Sequence, residues 1–297
     1  MKSKLIAVVG TTASGKSDLG LALAEHFGGE IISADSRQIY RGLDLGTGKE
    51  TPEELARVPH HMIDILEPNE PFSMAEYQML AYEAIDGVIG RGKPAFLVGG
   101  TGLYTRAVVE GYRLSDAPPD DGFRAEMTGK TKDELLLLLQ KEGYTERDLS
   151  ASPRRLIRKL EKIRAGFPAD DENEPRYDVL QLGVTWDREI LNKRIEIRLD
   201  KRIEAGMIDE VRGLLQNGAT PEFLLGLGLE YRFTYQYIAG EIESFPAYRE
   251  LLLTAIKQFA KRQNTWFRKE KKIVWLDVSG DYTAEAIKLT ETFFDNK

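Results

Sequence analysis

A phosphate-loop motif near the amino terminus most constrains how this chain can fold. Residues 4–17 read KLIAVVGTTASGKS, in which an apolar run leads directly into the pattern G-x-x-x-x-G-K-[ST]. The backbone amides of such a loop and the positive end of the following helix surround a phosphate, while the lysine adds charge and the serine binds Mg²⁺. The pattern therefore predicts a strand, an anion-binding loop and a helix. The predicted diphosphate- or nucleotide-binding residues are Gly10, Thr11, Thr12, Ala13, Ser14, Gly15, Lys16 and Ser17, with Ser17 also the predicted magnesium ligand.

Strand and helix patterns continue to alternate beyond the loop. Residues 30–36 (EIISADS) and 94–100 (PAFLVGG) have the composition of strands. Between them, residues 73–92 have helical spacing, and Ser73 and Glu76 stand at the spacing of a capping box. This alternation predicts an α/β fold, a P-loop NTPase-like parallel sheet flanked by helices, with ligands at the carboxyl ends of the strands.

Residues 114–187 differ in character from the rest of the chain. They contain a turn-rich break (SDAPPDDG, 115–122), two helical patterns (131–143 and 152–166) and an acidic loop (PADDENEP, 168–175). We therefore predict a P-loop core formed by residues 1–113 and 188–297, and a helical insertion domain at 114–187. Long amphipathic helices are predicted at residues 188–217 and 247–270, within the second part of the core.

Composition excludes several classes of site. The 297 residues include no cysteine, which rules out disulfides and thiolate zinc sites. No apolar run approaches the roughly 20 residues that span a bilayer, and the first residues resemble neither a signal nor a transit peptide. We therefore expect a cytoplasmic protein without a membrane partner. Because nothing indicates an obligate dimer, a monomer is expected.

Two basic segments stand out from a net charge of −7. Residues 154–164 carry six basic side chains and one acidic one, and residues 257–272 carry seven and one. Local clusters of this kind bind phosphates whatever the net charge. Solvated helix faces would have the same composition, so both interpretations stay open.

The loop alone does not identify the bond that is broken. A P-loop ATPase normally has an apolar strand that ends in an aspartate near the magnesium ion, whereas the strand at 95–98 is followed by Gly99, Gly100 and Thr101. The carboxylate lies instead at Asp35, after the second strand. There it can act as a general base in several chemistries, or simply cap a turn.

Five segments together resemble the tRNA dimethylallyltransferases, also called tRNA isopentenyltransferases. They are GTTASGKS, ISADSRQIYRGLDLGTGK, PHHMIDI, GGTGLY and AKRQNTWFR. The resemblance covers about residues 4–110 and 188–275 and is weak between them. Members of this family hold dimethylallyl diphosphate in the P-loop and transfer its five-carbon group to N6 of the adenosine 3′-adjacent to the tRNA anticodon. The resemblance thus implies an enzyme that releases pyrophosphate, uses Mg²⁺ and binds the tRNA anticodon loop.

The chemistry of prenyl transfer fits the residues. An exocyclic adenine amine is a poor nucleophile, so a carboxylate that accepts its proton is expected to contribute about 10²- to 10⁴-fold. Fixed cations stabilise the departing pyrophosphate more in the transition state than in the ground state. Arg198 has a second interpretation, as one member of an exposed i, i+4 ladder with Arg194 and Arg202. With the roles that the resemblance implies, the predicted catalytic residues are Asp35, Lys16, Thr101 and Arg198.

Recognition of an RNA loop base combines stacking, edge hydrogen bonds and basic side chains on phosphates. The residues beside the predicted base, the segment AKRQNTWFR and the basic helix of the insertion have this character. A core-packing helix whose basic side chains reach solvent is the alternative for AKRQNTWFR. The predicted tRNA-binding residues are Asp35, Ser36, Arg37, Gln38, Thr101, Arg124, Arg154, Arg155, Arg158, Lys261, Arg262, Gln263, Trp266 and Arg268.

Two departures from the family pattern lie on the RNA-facing side. SASPRRL (150–156) stands where members usually carry an Asn-Asp pair, and GLGLEYRF (226–233) only approximates their Gly-Tyr-Lys-Glu-like motif. Alternatives therefore stay open: a P-loop transferase with a small acceptor, either an adenylate prenyltransferase or a metabolite kinase, or an RNA-binding module that only senses a nucleotide. The basic segments favour an RNA acceptor, and the glycine-threonine ending of the third strand disfavours a kinase.

The adjacent histidines His60 and His61 suggest a metal site at first sight. The chain has only three histidines and no cysteine, and the nearby carboxylates have unsuitable spacing. We therefore expect the pair to be structural or adjacent to substrate.

Overall fold

One parallel sheet forms the centre of the larger part of the chain. The computed structural model describes residues 2–114, 120–148, 150–170 and 173–296. All strands pair in parallel, in the order β3-β2-β4-β1-β5-β6, which confirms the predicted α/β fold. In chain order they are β1 (Lys4–Gly10), β2 (Glu30–Ser33), β3 (His60–His61), β4 (Ala95–Gly99), β5 (Asp178–Val184) and β6 (Ile273–Trp275).

The helices of the described residues follow the strands in the expected alternation. The predicted capping box at Ser73 and Glu76 is present: each side chain accepts a hydrogen bond from the backbone amide of the other residue. The single helical stretch predicted at 188–217 is interrupted by Gly206, whose φ of 100° ends one helix and starts the next. The helices are α1 (Lys16–Phe27), α2 (Pro52–Arg57), α3 (Met74–Gly90), α4 (Gly102–Val109), α5 (Asp121–Met127), α6 (Lys132–Lys141), α7 (Pro153–Arg164), α8 (Arg188–Glu204), α9 (Met207–Gln216), α10 (Pro221–Leu227), α11 (Leu229–Ile238), α12 (Phe245–Phe267) and α13 (Tyr282–Asp295).

The sheet is buried on both faces, as parallel sheets are. Successive residues of β1 point to opposite faces, so Leu5 packs with α3 and α4 whereas Ile6 packs with α1 and α13. Both residues are fully buried. This two-sided packing explains why β1 is apolar along nearly its whole length, and it fixes the loop at its carboxyl end against a rigid support.

The chain divides into two compact units. The first comprises residues 1–109 and 176–297 and contains the sheet; the second comprises residues 110–175. The predicted insertion, 114–187, extends too far at its carboxyl side, because β5 pairs with β1 along its whole length and so belongs to the sheet. The predicted turn-rich break and acidic loop lie partly outside the described residues.

The second unit has a hydrophobic core of its own. Helices α5, α6 and α7 bury an apolar cluster that includes Phe123, Leu135, Leu139, Leu156 and Leu160. In neither unit does the described part of the chain contain a helix that is long and apolar enough to cross a membrane.

Candidate active site

The phosphate loop joins the buried end of β1 to the first turn of α1. A Cβ at Gly10 would overlap the carbonyl oxygen of Val184 on the neighbouring strand, so only glycine fits there. Gly15 caps the helix with a φ of 95°, and Ala13 adopts a φ of 60° that side-chain-bearing residues seldom take. Such strained backbone persists where surrounding contacts hold it.

Two side chains from beyond β5 hold the carbonyl groups of this loop. The Trp186 indole donates to the Ser14 carbonyl oxygen at 2.7 Å, and the Arg194 Nε donates to the Ala13 carbonyl oxygen at 2.8 Å. With their carbonyls turned to these donors, the loop residues leave the helix amino terminus facing the anion position.

A third side chain, Gln263 of α12, links the loop to the end of β4. Its Oε1 accepts a hydrogen bond from the Thr12 amide at 2.8 Å, and its Nε2 donates to the Gly100 carbonyl oxygen at 2.8 Å. Gln263 is buried. Although predicted to bind tRNA, it uses both ends of its amide within the protein to position the phosphate loop.

A cavity at the carboxyl ends of β1, β2 and β4 brings the predicted catalytic residues together. The lining residues that the sequence predicted are Thr12, Lys16, Ser17, Asp35, Ser36, Arg37, Gln38, Thr101, Arg198 and Gln263. His60, one of the pair expected to be structural or adjacent to substrate, lines it too. Three charged side chains that the sequence did not predict as site residues also line it: Glu50, Arg202 and Glu230. These residues come from at least five separate segments, so only the folded chain brings them together.

Asp35 is held in a turn that leaves one carboxylate oxygen free. Its Oδ1 accepts a hydrogen bond from the Arg37 amide at 3.0 Å. The Thr101 hydroxyl accepts from the Ser36 amide at 3.3 Å, and the Thr101 amide donates to Ala34 at 3.2 Å, so the turn is fastened to the end of β4. Among the described residues Oδ2 has no partner, and it is the atom available to accept a proton.

Burial shifts the pKa of the two predicted phosphate-binding cations. Burial, with help from the Arg198 charge, lowers the pKa of Lys16 to about 8, although Asp35 and Glu50 act in the opposite direction. Burial and the Arg202 charge lower the pKa of Arg198 to about 10. Desolvated cations beside one another are stabilised by a bound anion, and such strongly perturbed groups in a cleft indicate a functional site.

A buried carboxylate, Glu230 of α11, pairs with two arginines that line the cavity. Its side chain is 4% exposed and accepts hydrogen bonds from Arg37 at 2.9 Å and from Arg202 at 3.2 Å. Arg37 therefore lines the cavity as part of an ion pair, and its contact with tRNA stays a prediction. The i, i+4 spacing of Arg194, Arg198 and Arg202 is a sequence signal for Arg202. Arg198 and Arg202 line the cavity, whereas Arg194 binds the Ala13 carbonyl oxygen of the phosphate loop.

The oxygen groups around Ser17 suit Mg²⁺. Ser17 and Glu50 line both the main cavity and the cleft on the outer side of the phosphate loop. Among the described residues Glu50 Oε2 is buried without a hydrogen-bond partner, so this oxygen is available as a ligand for a cation. The described residues contain no group of three or more His, Cys, Asp or Glu side chains that could hold a metal alone. Mg²⁺ commonly completes its shell with water and substrate phosphates, so a hydroxyl with one carboxylate is a sufficient protein contribution.

Comparison with known proteins identifies the family. A sequence model described as IPP transferase matches residues 38–270, and one described as isopentenyl transferase matches residues 3–65. The chain belongs to the IPP transferase family. It is 46% identical to tRNA dimethylallyltransferase 2 of Shewanella sediminis, an alignment that covers 96% of this chain and 97% of the relative. It is 40% identical to tRNA dimethylallyltransferase of Pelotomaculum thermopropionicum, over 96% and 94% of the two chains.

A solved structure agrees with these relatives. The crystal structure of the full-length tRNA isopentenylpyrophosphate transferase from Bacillus halodurans matches with a TM-score of 0.75 and 35% identity, covering 99% of this chain and 96% of that one. The family that the five segments predicted is therefore confirmed.

The basic segment of α12 places its residues in two environments. Lys261, Arg262 and Arg268 are exposed. Trp266 is 38% exposed and packs against Gly102, where a Cβ would overlap the indole ring. This part of α12 thus combines a buried face, which contains Gln263, with an exposed basic and aromatic face.

The predicted tRNA-binding residues of the second unit are partly used in ion pairs. Arg155 pairs with Asp148 at 2.8 Å, Arg124 pairs with the buried Glu161 at 2.9 Å, and Arg158 also pairs with Glu161. Arg154 is exposed.

The two lysines of α7, unlike several of its arginines, are buried. Lys159 and Lys162 are buried, and Lys159 pairs with Glu146 and Asp170. The basic surface of α7 is therefore smaller than its composition suggests.

Proposed function

We propose that this protein transfers the dimethylallyl group of dimethylallyl diphosphate to N6 of the adenosine 3′-adjacent to the anticodon in tRNA, with release of pyrophosphate. The observation that carries the proposal is the single cavity in which a phosphate loop, a carboxylate with a free oxygen and buried arginines meet. A chain of the IPP transferase family with this constellation has what allylic transfer requires on both sides of the reacting carbon.

Asp35 acts on the acceptor. In the reaction the adenine N6 forms a bond to C1 of the prenyl group while the C1–O bond to the diphosphate breaks, and N6 loses one proton. The free Oδ2 of Asp35 accepts that proton, and the Arg37 amide on Oδ1 keeps the carboxylate oriented. The Thr101 hydroxyl, fixed by the Ser36 amide, holds the same turn and keeps its own proton for the substrate.

Lys16 and Arg198 act on the leaving group. Negative charge grows on the diphosphate as the C1–O bond stretches, so cations fixed near it lower the barrier. In the protein without ligand these cations are desolvated and close to one another. Ser17 and Glu50 would hold Mg²⁺, which would add further positive charge at the diphosphate.

The acceptor would be bound by exposed basic side chains outside the cavity. Lys261, Arg262 and Arg268 of α12, with Trp266 between them, have the chemistry of a phosphate and stacking surface. In the second unit Arg154 and Arg155 are the exposed candidates. Charge reversal at Arg154 and Arg155 together should weaken tRNA binding and reduce its salt dependence, without altering the KM for dimethylallyl diphosphate.

The decisive experiment offers one labelled donor to several acceptors. Purified protein, Mg²⁺ and radiolabelled dimethylallyl diphosphate are incubated separately with unmodified tRNA, the same tRNA carrying guanosine at the target position, AMP and ATP. We expect label only on the unmodified tRNA, and equimolar pyrophosphate in solution.

Other outcomes would redirect the proposal. Label on AMP but not on tRNA would identify an adenylate prenyltransferase. Hydrolysis of ATP without prenyl transfer would identify a kinase-like enzyme. Binding of tRNA without transfer to any acceptor would leave only an RNA-binding module.

A further inference from the structure

The guanidinium of Arg202 has one buried nitrogen without a hydrogen-bond partner among the described residues. This nitrogen suggests that a second arginine, besides Arg198, contacts the leaving group. We propose that Arg202, held by Glu230, donates its Nη2 to an oxygen of the bound diphosphate beside Lys16 and Arg198. The inference rests on the proposed function, since it names a further residue of the same site.

Half of the Arg202 guanidinium is fixed by the protein and half is not. Nη1 donates to Glu230 Oε1 at 3.2 Å and to the Gly46 carbonyl oxygen at 3.3 Å. Nη2 is buried and has no hydrogen-bond partner among the described residues. A buried charged donor without a partner is costly. In a cavity that contains a phosphate loop, an anion is the partner that would satisfy it.

Neighbouring charges strengthen this assignment. The terminal nitrogens of Arg198 and Arg202 lie beside the same backbone position, Gly48, and the Arg202 charge lowers the pKa of Arg198. Within the described residues Arg198 forms no hydrogen bond or ion pair. Glu230 is shared with Arg37, so it balances only part of the positive charge around it. Two adjacent guanidiniums with unsatisfied donors match the several oxygens of a diphosphate better than the single carbonyl or hydroxyl of a neutral ligand.

The backbone at Gly48 is shaped to admit both guanidiniums. Its φ is +63°, and a Cβ there would overlap the terminal nitrogens of both Arg198 and Arg202. A glycine at this position therefore lets the two arginines lie side by side over the loop that follows β2. Replacement by alanine would displace both side chains without changing any charge.

The test measures pyrophosphate binding directly. The probe is magnesium pyrophosphate, titrated calorimetrically into the full-length protein. We expect Arg202→Gln to raise the Kd about 10- to 100-fold, as for loss of a hydrogen bond to a charged group. Gly48→Ala should also weaken binding. The matched control is Lys193→Gln, which removes one positive charge from an exposed position on the same helix and should leave the Kd within about twofold of the wild-type value.

A pyrophosphate complex of the wild-type protein provides a second measurement that does not depend on the folding of any variant. Arg202 Nη2 within hydrogen-bond distance of a phosphate oxygen supports the inference, and Nη2 turned away from the ligand overturns it. A folded Arg202→Gln variant that binds pyrophosphate as tightly as the wild type also overturns it. Wild-type protein that binds no pyrophosphate and transfers no prenyl group would instead contradict the proposed function, so the two failures are distinguishable.

Discussion

The two ends of strand β2 differ in whether their charged side chains have hydrogen-bond partners within the protein. At its start, Glu30 accepts hydrogen bonds from Arg91 at 2.6 Å, His61 at 2.8 Å and Lys93 at 2.9 Å. Just beyond its end, Asp35 lies in a cavity with more cationic groups than it can pair. Both ends place carboxylates among several basic side chains: Glu30 at the start of the strand, and Asp35, Glu50 and Glu230 around the cavity.

The difference shows how a ligand site can be told from a structural ion cluster. At the Glu30 end the carboxylate is saturated by three donors, and the donors are partly exposed and able to use water. At the Asp35 end Arg198 has no partner among the described residues and Arg202 has one buried nitrogen without one. Unsatisfied buried donors are tolerated where a ligand completes them. We therefore infer that the first end stabilises the fold, and we expect the second to bind the ligand.

The comparison is tested most strongly by neutralising the carboxylate at the ligand end. Asp35→Asn keeps the side-chain oxygen that accepts from the Arg37 amide but removes the proton acceptor. We expect kcat for prenyl transfer to tRNA to fall about 10²- to 10⁴-fold. The midpoint of thermal unfolding should stay within a few degrees of wild type. Unchanged kcat in single-turnover assays would show that Asp35 is not the base.

Removing one arginine from each end gives the next largest contrast. Arg198→Gln should lower kcat/KM about 10²- to 10³-fold, because a preorganised donor to the developing charge is lost. The matched control is Arg91→Gln, which removes a cation from the Glu30 end and should leave kcat/KM unchanged. Equal effects of the two substitutions on kcat/KM would contradict the distinction between the ends.

Glu30→Gln should reverse the pattern, with stability lost and activity kept. Its partners His61, Lys93 and Arg91 lower the pKa of Glu30 to about 2 despite burial, which acts to raise it. The stabilisation is therefore complete above the ordinary glutamate value of about 4.3 and is lost as the pH falls from there towards 2. We expect Glu30→Gln to reduce the free energy of unfolding by about 2 kcal/mol at pH 7. The difference from wild type should vanish near pH 2 in denaturant titrations.

Much of the fold and the phosphate side of the site could be predicted, because their signals are local. The phosphate loop is one contiguous pattern, and the apolar run before it can only be a buried strand. Asp35 was found because it follows a strand end directly. Arg198 was assigned through family resemblance alone, since nothing in its own helix distinguishes it from Arg194.

The residues that escaped prediction depend on contacts between distant segments. Glu230 was not predicted, and it matters because α11 brings it into an ion pair with Arg37. Gln263 was predicted only as a tRNA contact, whereas it positions the phosphate loop from about 250 residues away in sequence. Composition also misled at α7, where Lys159 contributes to the basic segment yet is buried in ion pairs. A count of charges cannot separate paired from unpaired groups, and that separation defines the site.

The smallest expected effect concerns pH at the ligand end. Burial, followed by the charge of Arg198, lowers the pKa of Lys16 to about 8 in the protein without ligand. A bound diphosphate stabilises the charged ammonium and raises that pKa, so binding takes up a proton and the affinity falls as the pH rises above 8, by at most about tenfold per pH unit. The measurement is the Kd of magnesium pyrophosphate between pH 7 and pH 9.5, with Lys16→Gln as control because it lacks the titrating group. Parallel pH profiles for the two proteins would mean that Lys16 keeps its proton throughout. A steeper fall for wild type would show that Lys16, at the ligand end of β2, titrates in response to the ligand.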